Sequence, residues 1–431
     1  MTAAPVVTGT WIECPATQGV LAMLESGGYQ ALCVGGCVRD ALLGRAVADV
    51  DIATDARPDT VLACAARAGL RAVPTGLAHG TVTVIADGAG YEVTTFRRDI
   101  RSFGRHAEVA FSTRIGEDAA RRDFTMNALY ARRDGTLVDP LGGLPDLLAG
   151  RVRFVGDPDS RIREDYLRIL RFFRFAGVFG VAREDFDKSA LAACGRNADG
   201  IDALSRERVG SELRKLLAAD NPVPAMDAMA ETGVLPHVLP GARVTCLPRL
   251  IALERQYRAV LPDPTRPGAQ AHRFLRRLAV LGASAPGAAL RLSRAESRAL
   301  RQVEHRVSDA AGPGKLGYRL GEDLGRDVML VRSAVHESEL PAGWHDQIRC
   351  GAGAVFPVRA ADLAGGLRGR ALGDALRMLE EHWIASHFTL DRAALVALSQ
   401  QLAPGSAPPI AGTDADSDRG RTGITRPGQD G

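Results

Sequence analysis

Long apolar runs are missing from this chain of 431 residues. A helix that crosses a membrane needs about 18 consecutive apolar residues, and no stretch of the sequence approaches that length. The opening residues also lack the charged-then-apolar order of a secretory signal. We therefore expect a soluble, cytoplasmic protein without a membrane partner, and no protein partner is evident.

Cysteine and histidine are too scattered to form a zinc site. The seven cysteines are odd in number, and only Cys33 and Cys37 lie close together in the sequence. No second cysteine pair and no histidine cluster stands near them to complete a set of four ligands. We expect reduced, mostly packed thiols, as in a cytosolic protein.

An excess of charge of one sign is also missing. The chain has 54 Lys and Arg residues against 51 Asp and Glu residues, so its net charge is +3. A nearly neutral chain that binds nucleic acid must use local basic patches instead of a global positive field. Apolar residues make up 46% of the sequence, which is enough for a sizeable core.

The length and the residue pattern together predict several domains. A chain this long exceeds one ordinary core. Short β-branched runs and helical segments alternate up to about residue 156, which indicates an α+β unit around a small sheet. From residue 157 the pattern is helical, and Ser293 and Glu296 have the spacing of a capping box. From residue 403 onward Pro, Gly, Ser, Asp and Thr predominate, which is typical of a disordered tail.

The stretch from Leu32 to Thr54 carries the strongest local pattern. An apolar run ends at Val34, Gly35 and Gly36 follow, and a short helix is expected to begin near Arg39. Two glycines allow the backbone to approach a ligand closely, and a helix N-terminus favours an anion. A glycine pair alone is more often an ordinary turn.

Two acids follow on a second expected strand, Asp49–Ala53. Strand side chains alternate, so Asp49 and Asp51 would share one face and Val50 and Ile52 the other. Taken alone, this pattern is more often a solvated strand face. The glycine pair, an Arg-Asp pair and the two acids within so short a span are much less expected by chance.

The whole string GG-x-V-R-D-x-L-L-G-x-x-x-x-D-x-D-I-A-T resembles the class II tRNA nucleotidyltransferases (CCA-adding enzymes) and the bacterial poly(A) polymerases. The resemblance extends over about residues 31–217. It implies a polymerase β-like nucleotidyltransferase head with a small mixed sheet, followed by an all-α neck, body and tail. The expected division is a head at 1–156, a neck at 157–245, a body and tail at 246–402, and the disordered tail at 403–431.

The resemblance also implies a metal site. Nucleotidyl transfer to a hydroxyl uses two Mg²⁺ ions, and hard oxygen ligands suit Mg²⁺. Asp49 and Asp51 are the expected catalytic and metal-binding residues. Glu92, on a second expected strand, is the third candidate ligand, although it also reads as an ordinary glutamate on a strand face.

Three groups of residues are expected to bind the nucleotide. The first comprises Gly35, Gly36 and Arg39, for the triphosphate; the less favoured alternative for Arg39 is a salt bridge with Asp40 or a neighbour. The second lies in Arg121-Arg-Asp-Phe-Thr-Met-Asn-Ala, which resembles a family motif. That resemblance implies that Arg122 reaches the phosphates, while Asp123 and Asn127 brace the site or contact the sugar.

The third group lies in Glu164-Asp-Tyr-Leu-Arg-Ile-Leu-Arg-Phe-Phe-Arg-Phe-Ala. On one helix, Asp165, Arg168, Arg171 and Arg174 would form a polar stripe, which alone reads as a solvated arginine face. In the family that the string resembles, its Asp and first Arg read the Watson–Crick edge of the incoming base. Arg171 and Arg174 would then face phosphate or brace that pair.

The segment from Phe96 to Glu108 is expected to be a mobile loop, at the position of the family's flexible loop. The sequence as a whole predicts an enzyme that adds or repairs the 3′-terminal CCA of tRNA from CTP and ATP. Poly(A) polymerase and CC-adding activity stay open as alternatives. A catalytically silent RNA-binding protein on the same fold is the alternative of another class.

Overall fold

The computed structural model describes residues 5–401 apart from 104–105, 264–265, 267 and 364–366. The tail expected from residue 403 and the centre of the expected loop at 104–105 lie outside the described residues. Within the described part of the chain, no helix is both long and apolar enough to cross a membrane.

A mixed sheet organises the first part of the chain. The strands are β1 Ala31–Val34, β2 Asp51–Thr54, β3 Arg71–Gly76, β4 Thr81–Ala86, β5 Ala89–Thr95, β6 Arg97–Phe103, β7 His106–Phe111, β8 Tyr130–Ala131 and β9 Leu137–Val138. Seven of them form one sheet in the order β3-β4-β5-β2-β1-β8-β9. Only β2 and β5 pair in parallel, and the other neighbours are antiparallel. The α+β class is confirmed.

Helices pack around this sheet, and the described chain after residue 156 consists mainly of further helices. The helices of the first part are α1 Thr10–Glu13, α2 Pro15–Ser26, α3 Gly36–Leu42, α4 Pro58–Arg67, α5 Ile115–Ala120 and α6 Leu144–Leu148. Those that follow are α7 Pro158–Glu164, α8 Leu167–Phe179, α9 Lys188–Arg196, α10 Arg206–Leu217, α11 Val223–Glu231, α12 Leu235–Val238, α13 Leu247–Gln256, α14 Ala269–Val280, α15 Pro286–Ala289, α16 Arg294–Val307, α17 Pro313–Leu320, α18 Glu322–His336, α19 Trp344–Gly353, α20 Gly369–Ala385 and α21 Arg392–Gln401.

Local signals account for many of these boundaries. Asp157 caps α7 by accepting a hydrogen bond from Ser160 N, and Pro158 occupies the first turn. Helix α8 ends at Phe179, and the next residue, Gly180, caps it in a left-handed conformation with φ 66°. The expected capping box of Ser293 and Glu296 at α16 is confirmed.

Two expectations about secondary structure are wrong. The strand expected from Asp49 begins only at Asp51, so Asp49 precedes the regular pairing. The single helix expected to carry Asp165, Arg168, Arg171 and Arg174 is broken, because Asp165 (φ −155°, ψ 106°) separates α7 from α8. The pair β6–β7 lies in the segment expected to be a mobile loop, and its mobility stays a prediction.

Aromatic rings connect the sheet part to the helices that follow. Phe124 lies 4.8 Å from Phe154 and 5.5 Å from Phe175, measured between ring centroids, and Phe154 stacks on Phe172 at 5.8 Å. All four rings are buried. One continuous hydrophobic core therefore runs from the sheet into the helical part, up to Ile348 of α19.

Candidate functional site

The turn between β1 and α3 leaves its backbone accessible to a ligand. Gly35 has φ 75° and ψ −119°, a conformation that side-chain-bearing residues rarely adopt. A Cβ at Gly35 would also lie 3.3 Å from Arg122 Nη1. A Cβ at Gly36 would meet only Arg39 Nη2, at 3.9 Å. The backbone of Gly36 is therefore open to a ligand, while Gly35 fulfils the conformational requirement.

Three carboxylates lie at the neighbouring edge of the sheet. Asp51 is the first residue of β2 and pairs in register with Glu92 of β5. Asp49, Asp51 and Glu92 are all accessible to solvent. Partial desolvation of the carboxylate nevertheless raises the pKa of Asp51, the charges of Glu92 and Asp49 raise it further, and Arg122 opposes them. Four charged groups from three chain segments thus act on Asp51 and its surroundings.

The donor set fits a hard divalent cation. Carboxylate oxygens are the protein ligands that Mg²⁺ prefers, and one or two carboxylates suffice because the ion keeps several waters. No group of three or more His, Cys, Asp and Glu residues arranged to hold a metal is present among the described residues. The fit therefore rests on Asp49 and Asp51, and Glu92 as third ligand stays a prediction.

Of the two roles that the sequence left open for Arg39, the structure shows the salt bridge with Asp40, and the contact with a triphosphate stays a prediction. Its guanidinium bonds bidentately to Asp40, with Nε–Oδ1 and Nη2–Oδ2 distances of 2.9 and 2.8 Å. Its Nη1 donates to Asn127 Oδ1 at 2.7 Å. The same guanidinium lies 5.1 Å from the Phe175 ring centroid. The salt bridge to Asp40 thus exists beside the open backbone of Gly36.

Asp123 and Asn127 form the centre of a hydrogen-bond network. Asn127 Nδ2 donates to Asp123 Oδ1 at 2.9 Å, and Arg171 Nε donates to Asp123 Oδ2 at 2.7 Å. Burial alone would raise the pKa of Asp123, but Arg171 and Asn127 hold it below its ordinary value. Because Asn127 also binds Arg39, the network joins α3 to α8.

Arg171 and Arg174 brace this network. Arg174 Nε lies 2.5 Å from Glu212 Oε2 of α10, and Arg171 Nη1 lies 3.9 Å from Glu212 Oε1. Both guanidiniums also pack on the Phe175 ring, at 5.4 and 3.9 Å from its centroid. In this structure the two arginines hold α8, α10 and the Asp123 segment together.

Asp165 and Arg168, the expected base readers, have different partners. Asp165 lies at the break between α7 and α8, where its Oδ2 accepts from Arg208 Nη2 at 2.7 Å. Its Oδ1 accepts from the backbone N of Leu167 at 3.1 Å. Arg168 Nη1 lies 2.5 Å from Glu164 Oε2. Asp165 and Arg168 are therefore each fixed by an ion pair, and they do not share one helical stripe.

Several residues that the sequence reasoning missed support the site. Asp118 forms ion pairs with Arg121 and Arg122. Glu212 pairs with Arg174, and Arg208 pairs with Asp165. Arg161 donates hydrogen bonds to the carbonyl oxygens of Arg121 and Arg122. The spacing of Asp118 to Arg121 and Arg122, three and four residues, was a readable helical signal. The other contacts join distant segments, which the sequence pattern alone does not reveal.

Two family models match parts of the chain. Residues 31–153 match the poly A polymerase head domain, and residues 185–245 match the probable RNA and SrmB-binding site of polymerase A. The first match contains the glycine turn, the three carboxylates and the Arg122 segment.

Curated relatives match about half of the chain. A CCA-adding enzyme of Geobacillus thermodenitrificans is 42% identical over 225 residues, which cover 52% of this chain and 54% of the relative. The mitochondrial CCA tRNA nucleotidyltransferase 1 of Mus musculus is 41% identical over 226 residues, with 52% of each chain covered. The matched part thus spans about half the length of these relatives.

Solved structures extend the likeness to most of the chain. The CCA-adding enzyme of Bacillus stearothermophilus in complex with CTP superposes with a TM-score of 0.65 at 28% identity, covering 90% of this chain and 96% of that one. A Thermotoga maritima CCA-adding enzyme with tRNA has a TM-score of 0.64 at 17% identity, which shows the shared fold.

Nucleotidyltransferases of this kind generally use a divalent metal. The glycine turn and the carboxylates lie within residues 31–153, and the arginine-rich α8 lies between the two matched segments. In these two segments the chain is similar to the head domain and the RNA-binding segment of poly A polymerases, and over about half of its length it is similar to CCA-adding enzymes.

Proposed function

We propose that the protein is a template-independent tRNA nucleotidyltransferase that adds or repairs the 3′-terminal CCA of tRNA from CTP and ATP, with release of pyrophosphate. One observation carries the proposal. The carboxylate of Asp51, at the start of β2, interacts electrostatically with Arg122, whose Nη1 lies beside the Gly35 turn. That arrangement supports the proposal of metal ligands and a phosphate-binding cation at one open backbone turn.

Asp49 and Asp51 would hold Mg²⁺, with Glu92 as the third candidate. When bound, Mg²⁺ supplies Lewis-acid activation of the tRNA 3′-hydroxyl and stabilises the leaving pyrophosphate. Gly35 and Gly36 leave space for the triphosphate, which lies at the N-terminus of α3. Arg39 and Arg122 supply positive charge to the phosphates.

Asp123 and Asn127 brace the nucleotide pocket, and Arg171 and Arg174 brace Asp123. Asp165 and Arg168 would read the Watson–Crick edge of the base. A carboxylate accepts a hydrogen bond from the exocyclic amine that cytosine and adenine share, and a guanidinium donates to a ring nitrogen or carbonyl. Arg208 and Glu164 hold the two side chains in place, which supports a reading geometry that is formed before the nucleotide binds.

tRNA is the proposed macromolecular partner, held mainly through its shape and backbone. The match of residues 185–245 to an RNA-binding family model supports this assignment. The described cysteines are all free thiols, which supports the cytoplasm as the proposed location. The division at residues 156, 245 and 402 remains part of the proposal.

Incubation with a tRNA that lacks CCA tests the function, with CTP alone, ATP alone, and both. CCA addition predicts two C residues with CTP and one further A when both nucleotides are present. Continued extension with ATP alone would indicate a poly(A) polymerase, and arrest after two C residues with both nucleotides a CC-adding enzyme. No product at all would favour the silent RNA-binding protein.

Variants of the carboxylates test the site itself. Asp49→Asn and Asp51→Asn should each reduce the rate by about a thousandfold or more, because each removes a charged metal ligand. Glu92→Gln should reduce the rate comparably if Glu92 is a third ligand, and only slightly if it is an ordinary strand residue. Full activity of the Asp51 variant would overturn the proposed metal site.

A further inference from the structure

A buried carboxylate outside the proposed nucleotide pocket holds two arginines at once. Asp118 of α5 is only 1% exposed. Its Oδ1 accepts from Arg121 Nε at 2.8 Å, and its Oδ2 accepts from Arg122 Nη2 at 3.0 Å. The Tyr130 hydroxyl of β8 donates to the same Oδ2 at 2.7 Å. Three side chains, from the end of α5 and from strand β8, therefore converge on one carboxyl group.

The guanidinium of Arg122 is hydrogen-bonded through Nε and Nη2, whereas Nη1 is left for another contact. Nε donates to the Tyr130 hydroxyl at 3.1 Å, and Nη2 donates to Asp118. Nη1 has no hydrogen-bond partner among the residues that the structure describes, and it lies beside Gly35. Two of the three guanidinium nitrogens are thus occupied by the clamp, and the third, Nη1, lies at the open turn.

We propose that Asp118, together with the Tyr130 hydroxyl, is a positioning residue that aims Arg122 Nη1 at the triphosphate of the incoming nucleotide. This inference rests on the proposed function and adds a residue to it. A free arginine side chain loses rotamer freedom when it binds an anion, whereas a clamped one has lost it already on folding. The clamp also leaves a net charge of +1, because one carboxylate faces two guanidiniums.

A positioning role differs measurably from a merely structural ion pair. If Asp118 only stabilises the fold, its loss weakens the binding of every ligand equally or lowers the unfolding temperature alone. If Asp118 aims Arg122, its loss weakens the binding of CTP while the binding of CMP, which lacks the β- and γ-phosphates, is unchanged. The CTP/CMP affinity ratio is therefore the informative quantity.

Isothermal titration calorimetry of Asp118→Asn and Tyr130→Phe with CTP and with CMP, in the presence of Mg²⁺, provides the test. We expect the CTP/CMP ratio to fall about tenfold in the Asp118 variant and about threefold in the Tyr130 variant, the usual worth of a charged and of a neutral hydrogen bond. The matched control is Glu117→Gln on the same helix. Glu117 pairs with Ser112 and Arg114, away from Arg122, so the ratio should be unchanged.

The outcomes separate this inference from the function on which it rests. An unchanged ratio in both variants, or an equal loss for CTP and CMP, overturns the positioning role. If Asp118→Asn does not fold, Tyr130→Phe alone decides, because that change removes only one hydroxyl. Arg122→Gln tests the underlying site: unchanged CTP binding in that variant contradicts the proposed phosphate contact itself.

Discussion

At the scale of single residues, the site depends on positions where backbone conformation and side-chain contacts coincide. Gly35 combines a left-handed φ with the close approach of Arg122 Nη1. Arg39 combines a salt bridge, an amide contact and an aromatic face. Substitutions at such positions are poorly tolerated, because one change disturbs the backbone conformation or several side-chain contacts at once.

The two glycines of the turn should respond differently to alanine. Gly35→Ala forces an alanine into a left-handed conformation, so we expect a loss of about 1–2 kcal/mol in the free energy of unfolding, together with weaker CTP binding. Gly36→Ala should leave the unfolding free energy nearly unchanged, because its Cβ meets no close neighbour, but should still weaken CTP binding. Urea denaturation and CTP titration measure the two effects. Unchanged CTP affinity in Gly36→Ala would contradict a close backbone approach.

The residues of the candidate site were named from the sequence, whereas most of their partners were not. The glycine turn and the salt bridge between Arg39 and Asp40 follow from local pattern, but the in-register pairing of Asp51 with Glu92 depends on how the strands assemble. The pairing of Asp165 with Arg208 joins residues 43 positions apart. No local periodicity encodes such a contact, because it forms only when α8 and α10 pack.

At the scale of elements, the break between α7 and α8 shows how tertiary contacts override local propensity. The residues Glu164-Asp-Tyr-Leu contain neither Gly nor Pro, so the sequence favours an uninterrupted helix. In the structure Arg208 holds Asp165, and the Tyr166 ring lies against Gly200, where a Cβ would overlap it. These contacts fix an extended residue inside an otherwise helical segment.

Helices α14 and α18 are joined by a buried ionic cluster that predicts a pH-dependent stability. Arg276 binds Glu254 and Asp327, Arg277 binds Glu254, and His272 Nδ1 lies 2.8 Å from Asp327 Oδ2. The hydrogen bond to Asp327 raises the pKa of His272 above its ordinary 6.5; burial and Arg276 oppose the shift, and Asp323 supports it.

The sign of the effect follows from linkage. A raised pKa in the folded state means that His272 stabilises the protein fully below its unfolded pKa and loses that contribution as the pH rises through its folded pKa. We expect the wild type to exceed His272→Gln by about 1 kcal/mol near pH 6, the order of a hydrogen bond to a charged group, and the gap to close toward pH 9. Urea unfolding of both proteins at the two pH values measures it. A gap that grows with pH would contradict the assignment.

At the scale of the whole molecule, the described residues form one extended core, a minor cluster around Leu32, Phe96 and Tyr130, and a separate small core in the last helices. The extended core ends at Ile348. The small core comprises Val358, Leu363, Leu379, Trp383, Ile384 and Leu395. Tyr318 of α17 connects the two, because its ring lies 5.4 Å from Trp383 and its hydroxyl donates to Glu380 at 2.7 Å. The last helices therefore pack on the remainder through a limited contact.

A cavity in the small core should loosen only the end of the chain. Trp383→Ala removes a buried indole, a change that typically costs about 3–5 kcal/mol, and most of that cost should fall on α20 and α21. Hydrogen exchange should accelerate in residues 369–401 and stay unchanged in residues 31–153. CTP affinity should not change. Accelerated exchange within the β1–β2 region would contradict the separation of the two cores.

The stacked phenyl rings limit where this chain can be divided and joined to parts of other proteins. Because Phe124 and Phe154 lie against Phe172 and Phe175, a cut near residue 156 would leave apolar rings facing water on both fragments. A chimera that joins the sheet part of this chain to foreign helices must carry matching rings across the junction, because otherwise the exposed rings favour aggregation of the hybrid.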